Sequence, residues 1–311
     1  MKEQPLRENQ QLIHYIMLME YGFQIQENKK GYIKMMKQLL KIELERAFRN
    51  KKFLAVVILE TALIIYDFLI YALKTYRVTI PFLLKYVDTG KVDSLPGVYS
   101  TWIGLHYGQT RTIIFSVLPL LCAFVYGSSL YLDEKFHYNN QLITRTSKKS
   151  YYLSKLIVMF ISGGVVAVYP FILSLIMNST ILPFEEVLVS RSYFMGDMAI
   201  FTGVFYKASL LYVFIYLLWI FISFGLLNCI CLFATYIFAN GFVVMASPFC
   251  VYFCTFVISN FISGYIAPWS FVRMNDVRVT AIPSIIIQFI IYILLLILLM
   301  AYKIRRRGDT L

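Results

Sequence analysis

Long apolar runs separated by short polar segments dominate the chain. Six of these runs are predicted to be transmembrane helices, at residues 53–73, 112–132, 156–177, 208–233, 241–262 and 283–302. Each has about 20 residues or more, which is enough to cross a hydrocarbon core of about 30 Å. No charged residue occurs between Ala208 and Val272, and one helix of that length would far exceed the bilayer, so this stretch must cross and return. Its turn is placed at Asn240-Gly241, with Asn228 as an alternative break.

An amphipathic helix is predicted just before the first run, over residues 35–52. Its apolar positions recur at helical spacing and comprise Met36, Leu39, Leu40, Leu44, Ala47 and Phe48. Its basic residues include Lys37, Lys41, Arg46 and Arg49. Such a helix lies along a membrane surface with its basic residues near anionic headgroups. An ordinary surface helix remains the alternative.

The composition supports a membrane protein and also predicts its orientation. Hydrophobic residues make up 59% of the chain and charged residues only 15%, against roughly a quarter charged in soluble domains. The net charge of +12 does not require a nucleic-acid partner, because the basic residues are concentrated on one predicted side of the membrane. Residues 1–52, 135–155 and 303–307 lie on that side and carry 20 of the 29 lysines and arginines. Cytoplasmic loops of membrane proteins are enriched in these residues. Both termini are therefore predicted to be cytoplasmic, with membrane lipids as partners and no nucleic acid.

The segments outside the six runs complete the predicted organisation. Residues 1–34 form a cytoplasmic extension rather than a signal peptide, because polar residues interrupt its apolar patch. Residues 303–311 form a basic cytoplasmic tail. The exterior loop 74–111 contains Trp102, prolines and several tyrosines, which predicts a packed cap with interfacial aromatic residues.

The polar segment 133–155 separates the second and third runs and is too long for a tight turn. Tyr151 and Tyr152 lie close in sequence to Arg145, Lys148 and Lys149. Aromatic residues and arginine are enriched in the cores of protein interfaces. The segment is therefore predicted to be a docking surface, and a solvated basic loop is the alternative.

The layout resembles the permease subunits of type-2 ATP-binding cassette (ABC) transporters over residues 35–307. It has an interfacial elbow helix, six spans and a polar loop after the second span. The loop is similar to theirs at Glu134, Leu142, Thr144, Ser147-Lys148 and Lys155. It departs from the family at His137-Tyr138, where a glycine is common, and at Arg145-Thr146, where a proline is common.

This resemblance implies an all-α integral membrane protein of a prokaryotic plasma (inner) membrane, acting as an exporter subunit. A separate cytoplasmic ABC ATPase would bind ATP and Mg, and a second permease subunit, identical or related, would complete the transporter. The implied ATPase-coupling residues are Glu134, Arg145, Lys148, Lys149, Tyr151 and Lys155. The chain has no phosphate-binding loop of its own, because Gly90-Lys91 is followed by Val92. It is therefore not expected to be an enzyme or to bind a cofactor.

Two carboxylates fall within the first predicted span. Glu60 and Asp67 are seven residues apart, which places them on nearly one stripe of a helix, about 10 Å apart. A carboxylate at such a depth is costly and indicates a functional site by default. Both residues are candidates for a conduit or a subunit interface, with Lys207 as a possible partner of Asp67. Pairing with polar groups of neighbouring helices is the structural alternative.

Two other classes of membrane protein stay open. Three plus three spans are compatible with an ion-coupled secondary transporter. Glu185-Glu186 followed by Arg191 faintly resembles the motif of membrane-embedded prenyl-protein proteases, but no histidine lies in a predicted span. The cysteines are interpreted as structural rather than metal-binding, because no histidine is near them; they are Cys122, Cys229, Cys231, Cys250 and Cys254.

Overall fold

The computed structural model describes residues 35–87, 95–139, 142, 148–185, 187, 199–262, 272–276 and 282–306, and these residues form an all-helical protein. The main helices are α1 (residues 35–48), α2 (Lys51–Asp67), α3 (Gln109–Tyr126), α4 (Ser129–Lys135), α5 (Lys148–Ser179), α6 (Ser209–Asn228), α7 (Ile230–Ile237), α8 (Gly241–Ile262) and α9 (Ile282–Arg306). Shorter helical segments are Ile80–Val87, Val98–Thr101, Thr202–Lys207 and the 3₁₀ turn Met274–Asp276. The predicted all-α class is confirmed.

Among the described residues, four helical stretches are long and apolar enough to cross a membrane. They are Lys51–Lys85, Gln109–Lys135, Lys148–Ser179 and Ser209–Ile237, and they coincide with the first four predicted runs. Helices α8 and α9 occupy the fifth and sixth runs, but their apolar stretches are shorter, at Gly241–Val257 and Ile285–Leu298. The structure therefore supports a multi-pass membrane protein, and the count of six spans stays a prediction.

The first long helix continues well past the end of its predicted span. After α2 the chain stays helical through two π-helical segments, Phe68–Ala72 and Thr75–Thr79, and then through Ile80–Val87. The stretch Lys51–Lys85 has 35 residues, or about 52 Å at 1.5 Å per residue, against a hydrocarbon core of about 30 Å. The loop predicted from residue 74 thus begins as helix.

Helix α5 lies at the centre of the bundle and packs along α2, α3 and α6. The small residues Ser162-Gly163-Gly164 on α5 allow a neighbouring helix to approach closely. A Cβ atom at Gly163 would lie 2.6 Å from the Cβ of Asn228, and one at Gly164 would lie 2.6 Å from the ring of Phe221. Both contacts are with α6, so these glycines bring α5 and α6 together.

Helix α1 meets α2 at a corner formed by Asn50. The Asn50 side chain accepts a hydrogen bond from the backbone N–H of Phe53 (2.7 Å) and donates to the carbonyls of Arg46 and Ala47 (2.9 Å each). One side-chain amide thus supplies hydrogen bonds to backbone carbonyls at the end of α1 and to a backbone N–H at the start of α2. The helix predicted over residues 35–52 therefore ends at residue 48, and Lys51 already belongs to α2.

The amphipathic pattern of α1 agrees with the prediction from spacing. Leu39, Glu43 and Ala47 are buried, and Lys37 and Lys41 are exposed. Glu43 is the one charged residue on this buried face, and a buried charge is stable only when it is paired. The end of the bundle where α1 lies is called the α1 end below.

The loop at the opposite end of the bundle is packed, as its aromatic residues predict. Val98, Trp102, Ile103 and Leu105 are buried. The Trp102 indole N–H donates to the carbonyl of Phe171 on α5 at 2.9 Å. This contact ties the loop to the central helix. Residues 88–94 of the loop lie outside the described residues.

The structure also changes two predicted boundaries at the α1 end. Helix α5 begins at Lys148, so the last part of the polar segment 133–155 is helical. Helix α9 continues to Arg306, so the predicted basic tail begins inside a helix. The predicted N-terminal extension 1–34, residues 143–147 with Arg145, and residues 307–311 lie outside the described residues.

Candidate functional site

Four charged side chains, three of them buried, meet in a cluster at the α1 end. Glu43 and Arg46 come from α1, Asp133 comes from α4, and Lys155 comes from α5. Lys155 is 0% exposed, and Glu43 and Asp133 are each 1% exposed. These residues, with the hydroxyls of Tyr126 and Tyr151, are called the ion cluster.

Lys155 is the centre of the ion cluster. Its Nζ atom lies 2.9 Å from Glu43 Oε2 and 2.7 Å from Asp133 Oδ2. The Arg46 guanidinium lies 2.6 Å from Asp133 Oδ1 and 3.8 Å from Glu43 Oε2. Two positive and two negative groups therefore balance one another.

Two tyrosine hydroxyls complete the hydrogen bonding of the carboxylates. Tyr126 donates to Glu43 Oε2, and Tyr151 donates to Asp133 Oδ2 at 2.8 Å. Lys155 also donates to the Tyr126 hydroxyl at 3.2 Å. Tyr151 and Lys155 are four residues apart on α5 and share one face of the helix. Such a network stabilises the fold only while it is complete. Removing one partner leaves an unpaired buried charge, which lowers the stability of the folded state by about 3–5 kcal/mol.

The ion cluster reaches the protein surface through Arg46. Burial disfavours the charge of Arg46, but the hydrogen bond and charge of Asp133, together with Glu43, outweigh this effect and raise the pKa of the guanidinium. Arg46 also lies over the ring of Tyr138 at 5.6 Å. A surface groove of about 390 Å³ adjoins it, lined by Arg46, Leu132, Asp133, Phe136 and Tyr138. The cluster is thus buried on one side and adjoins an open groove on the other.

The predicted coupling residues divide into a buried group and a surface group. Tyr151 and Lys155 are fully buried in the ion cluster, so in this structure they do not face a partner. Lys149 is exposed, while Glu134 and Lys148 are half-buried. Sequence reasoning missed Asp133, the carboxylate that pairs with Lys155, and chose its neighbour Glu134 from the resemblance.

One basic residue of the predicted elbow has a different role from the one expected. Arg46 pairs with Asp133 and Glu43 rather than extending toward headgroups. The reason is that α4 places the buried carboxylate of Asp133 beside this side of α1, and Glu43 of α1 itself is the second partner. Lys37, Lys41 and Arg49 are exposed, as the amphipathic pattern predicts.

Asp67 has a partner that the sequence did not indicate. At the opposite end of the bundle, His106 Nε2 lies 3.2 Å from Asp67 Oδ2, and both side chains are buried. The Tyr71 ring packs on the imidazole with centroids 4.5 Å apart. Lys207, the predicted partner, is exposed. The structure pairs Asp67 with His106 instead, because the packed loop folds back into the bundle and brings His106 to Asp67.

Glu60 lies near the middle of the first long helix. It is 1% exposed, and neither carboxylate oxygen has a hydrogen-bond partner among the described residues. An unpaired charge at this depth of a membrane protein is costly. The predicted role at a conduit or a subunit interface stays a prediction.

The Glu185 carboxylate serves the packed loop. It accepts hydrogen bonds from the Ser100 backbone N–H at 2.9 Å and from the Ser100 hydroxyl at 3.5 Å. It therefore stabilises the short helix Val98–Thr101. Glu186 and Arg191, the other residues of the protease-like pattern, lie outside the described residues. Where the structure is described, no three His, Cys, Asp or Glu side chains are grouped to hold a metal ion.

Comparison with protein-family models, with curated proteins and with solved structures finds no match to this chain. The geometry of the ion cluster and its position in the bundle are therefore the basis for the proposed function.

Proposed function

We propose that this chain is the permease subunit of a type-2 ABC transporter that exports its cargo across a prokaryotic plasma membrane. It crosses the membrane six times, with α1 as the interfacial elbow helix and both termini in the cytoplasm. A separate ATPase binds ATP and Mg at the α1 end. A second permease subunit, identical or related, completes the pathway.

The observation that carries this proposal is the position of the ion cluster. Asp133 and Lys155 lie at the two ends of the polar segment 133–155, and their charges are paired with each other and with α1. Because separating buried partners costs about 3–5 kcal/mol, α1, α4 and α5 resist being pulled apart. A displacement applied to the segment between α4 and α5 is therefore passed to the long helices as one movement. An ATP-driven permease needs such a joint where its ATPase docks.

The surface around the joint supports the same proposal. Lys149 and the aromatic rings of Phe136 and Tyr138 are exposed beside it, which is the chemistry of an interface core. His137 adopts a left-handed backbone with φ of 57°, a conformation that favours glycine. The resembling family often has a glycine in this part of the loop. In this reading Lys155 and Tyr151 hold the joint together, and the exposed residues contact the ATPase.

The test is a triple charge reversal, because single surface charges contribute little. Arg145, Lys148 and Lys149 are changed to Glu, and the tagged full-length protein is purified from its native membrane. The variant should insert normally but lose both a co-purified protein that contains an ABC phosphate-binding loop and the associated ATP hydrolysis. The matched control reverses Lys74, Lys85 and Lys207, which are exposed away from the α1 end, and it should keep both. Equal ATPase recovery from the two triple variants would contradict the proposed docking surface.

An ion-coupled secondary transporter is the second candidate, favoured by the titratable groups buried in the long helices. These are Glu60, which has no hydrogen-bond partner among the described residues, and Asp67, which pairs with His106 of the packed loop. In this alternative, liposomes containing the full-length chain alone would conduct protons, as measured with an internal pH dye, and Glu60→Gln would abolish the flux. Under the ABC proposal the chain alone produces no such flux.

A further inference from the structure

An apolar groove of about 340 Å³ runs between α2, α3 and α8. Each helix contributes three lining residues, and all nine are apolar. Ala55 and Leu59 form part of one wall, Leu120 and Phe124 a second, and Met245 part of the third. A groove lined by these apolar side chains suits a hydrocarbon chain and offers little to orient a polar ligand.

The groove lies in the half of the bundle nearest the α1 end. Leu59 is eight residues beyond Lys51, which is about 12 Å along the helix axis. Phe124 is near the last residue of α3, and Phe242 is in the first turn of α8. The surface around the opening is apolar, because Leu54, Ile58 and Phe242 are between 59% and 71% exposed. The groove therefore opens sideways toward the lipid of one leaflet.

The ammonium of Lys52 lies beside the wall of this groove. The Lys52 ammonium is 5.6 Å from the centre of the Phe124 ring, and Lys52 is only half-exposed. Lys51, its neighbour, is exposed and does not line the groove. A cation next to the end of an apolar groove matches the layout of a phospholipid, in which a phosphate stands at the end of the acyl chains.

We propose that this groove is a binding site for an anionic phospholipid from the leaflet on the α1 side. One acyl chain lies between α2, α3 and α8, and the headgroup phosphate contacts Lys52. The charge of Lys52 selects an anionic headgroup over a zwitterionic one. This site requires only that the chain lie in a membrane, so its test is independent of the proposed transport function.

The test is native mass spectrometry of the full-length chain in detergent, titrated with dioleoyl-phosphatidylglycerol or dioleoyl-phosphatidylcholine. The wild-type chain should bind phosphatidylglycerol more tightly. Lys52→Gln should reduce that preference by about fivefold, the effect of one basic residue near an anionic headgroup. Lys51→Gln is the matched control and should keep the preference.

A second pair of variants tests the acyl-chain part of the site. Ala55→Trp fills the groove and should weaken binding of both lipids, whereas Leu54→Trp on the adjacent exposed position should not. Met245→Trp fills the groove from α8 and replaces Ala55→Trp if that variant fails to fold. Equal binding of the two lipids by the wild type, or equal effects of Lys51→Gln and Lys52→Gln, would overturn the proposal. Loss of a dimer in Ala55→Trp with lipid binding unchanged would instead assign the groove to a subunit interface.

Discussion

Replacing Lys155 by methionine should strongly destabilise the α1 end of the bundle. The change keeps most of the side-chain length and removes the ammonium that lies 2.9 Å from Glu43 and 2.7 Å from Asp133. Arg46 then pairs mainly with Asp133, because it is 2.6 Å from that carboxylate and 3.8 Å from Glu43. Glu43 is left buried with little compensation. A broken buried ion pair costs about 3–5 kcal/mol, and Lys155→Met should fall in this range.

A second substitution separates this explanation from a simple loss of packing. Glu43→Gln in the Lys155→Met background removes the uncompensated carboxylate and leaves Arg46 balanced by Asp133. The double variant should therefore recover a large part of the lost stability. Neighbouring charges in one network show interaction energies of about 0.5–3 kcal/mol, and this pair should lie near the upper limit.

The assay is equilibrium or thermal unfolding of the full-length chain in one detergent. Lys149→Met is the control, because Lys149 is exposed on the same helix and such changes usually stay within about 0.5 kcal/mol. The reasoning fails if Lys155→Met is as stable as Lys149→Met. It also fails if the effects of Glu43→Gln and Lys155→Met add without interaction.

Three further changes test other parts of the fold by the same unfolding assay. Gly163→Ala should destabilise the contact of α5 with α6, because the new Cβ would lie 2.6 Å from the Cβ of Asn228. Gly203→Ala is the control and should be neutral or slightly stabilising, because no atom lies within 4 Å of its new Cβ. Equal effects of the two changes would contradict the close packing of α5 with α6. His106→Leu, which has no hydrogen-bonding group, should cost about 1.5–3 kcal/mol by removing the partner that lies 3.2 Å from Asp67, and an unchanged stability would show that the pair contributes nothing. Asn50→Ala should cost about 1 kcal/mol by removing the cap of α2, and an unchanged stability would exclude that role for the corner.

The sequence predicted the positions of the helices better than their ends. Apolar runs identify the part of a helix that lies in hydrocarbon, and all six runs coincide with helices in the structure. Backbone hydrogen bonding does not stop at the membrane surface, so α5 already begins at Lys148 and α9 continues to Arg306. The continuation of α2 through two π-helical segments has no comparable signal in the apolar pattern.

The ion cluster was only partly predictable. Lys155 and Arg46 were selected, and the spacing of three residues on α1 is compatible with the pair of Arg46 with Glu43. The pairs of Asp133 with Arg46 and of Lys155 with both carboxylates join different helices, and spacing along the chain does not bring them together. One signal was present, because Glu43 falls between Leu39 and Ala47 on the apolar face of α1. A carboxylate on a buried face requires a buried cation, and that requirement points to Lys155 or Arg46. The pairing of Asp67 with His106 had no such signal, because it depends on how the packed loop folds back.

The central claim, that an ATPase docks at the α1 end, is tested most directly by site-specific photocrosslinking in intact cells. A benzoylphenylalanine is placed at Lys149, which is exposed beside the ion cluster, and separately at Lys207, which is exposed away from it. The account predicts that the probe at Lys149 crosslinks to a protein with an ABC phosphate-binding loop and that the probe at Lys207 does not. Crosslinking of such an ATPase from Lys207, or its absence from Lys149 while the chain is present in the membrane, would contradict the claim.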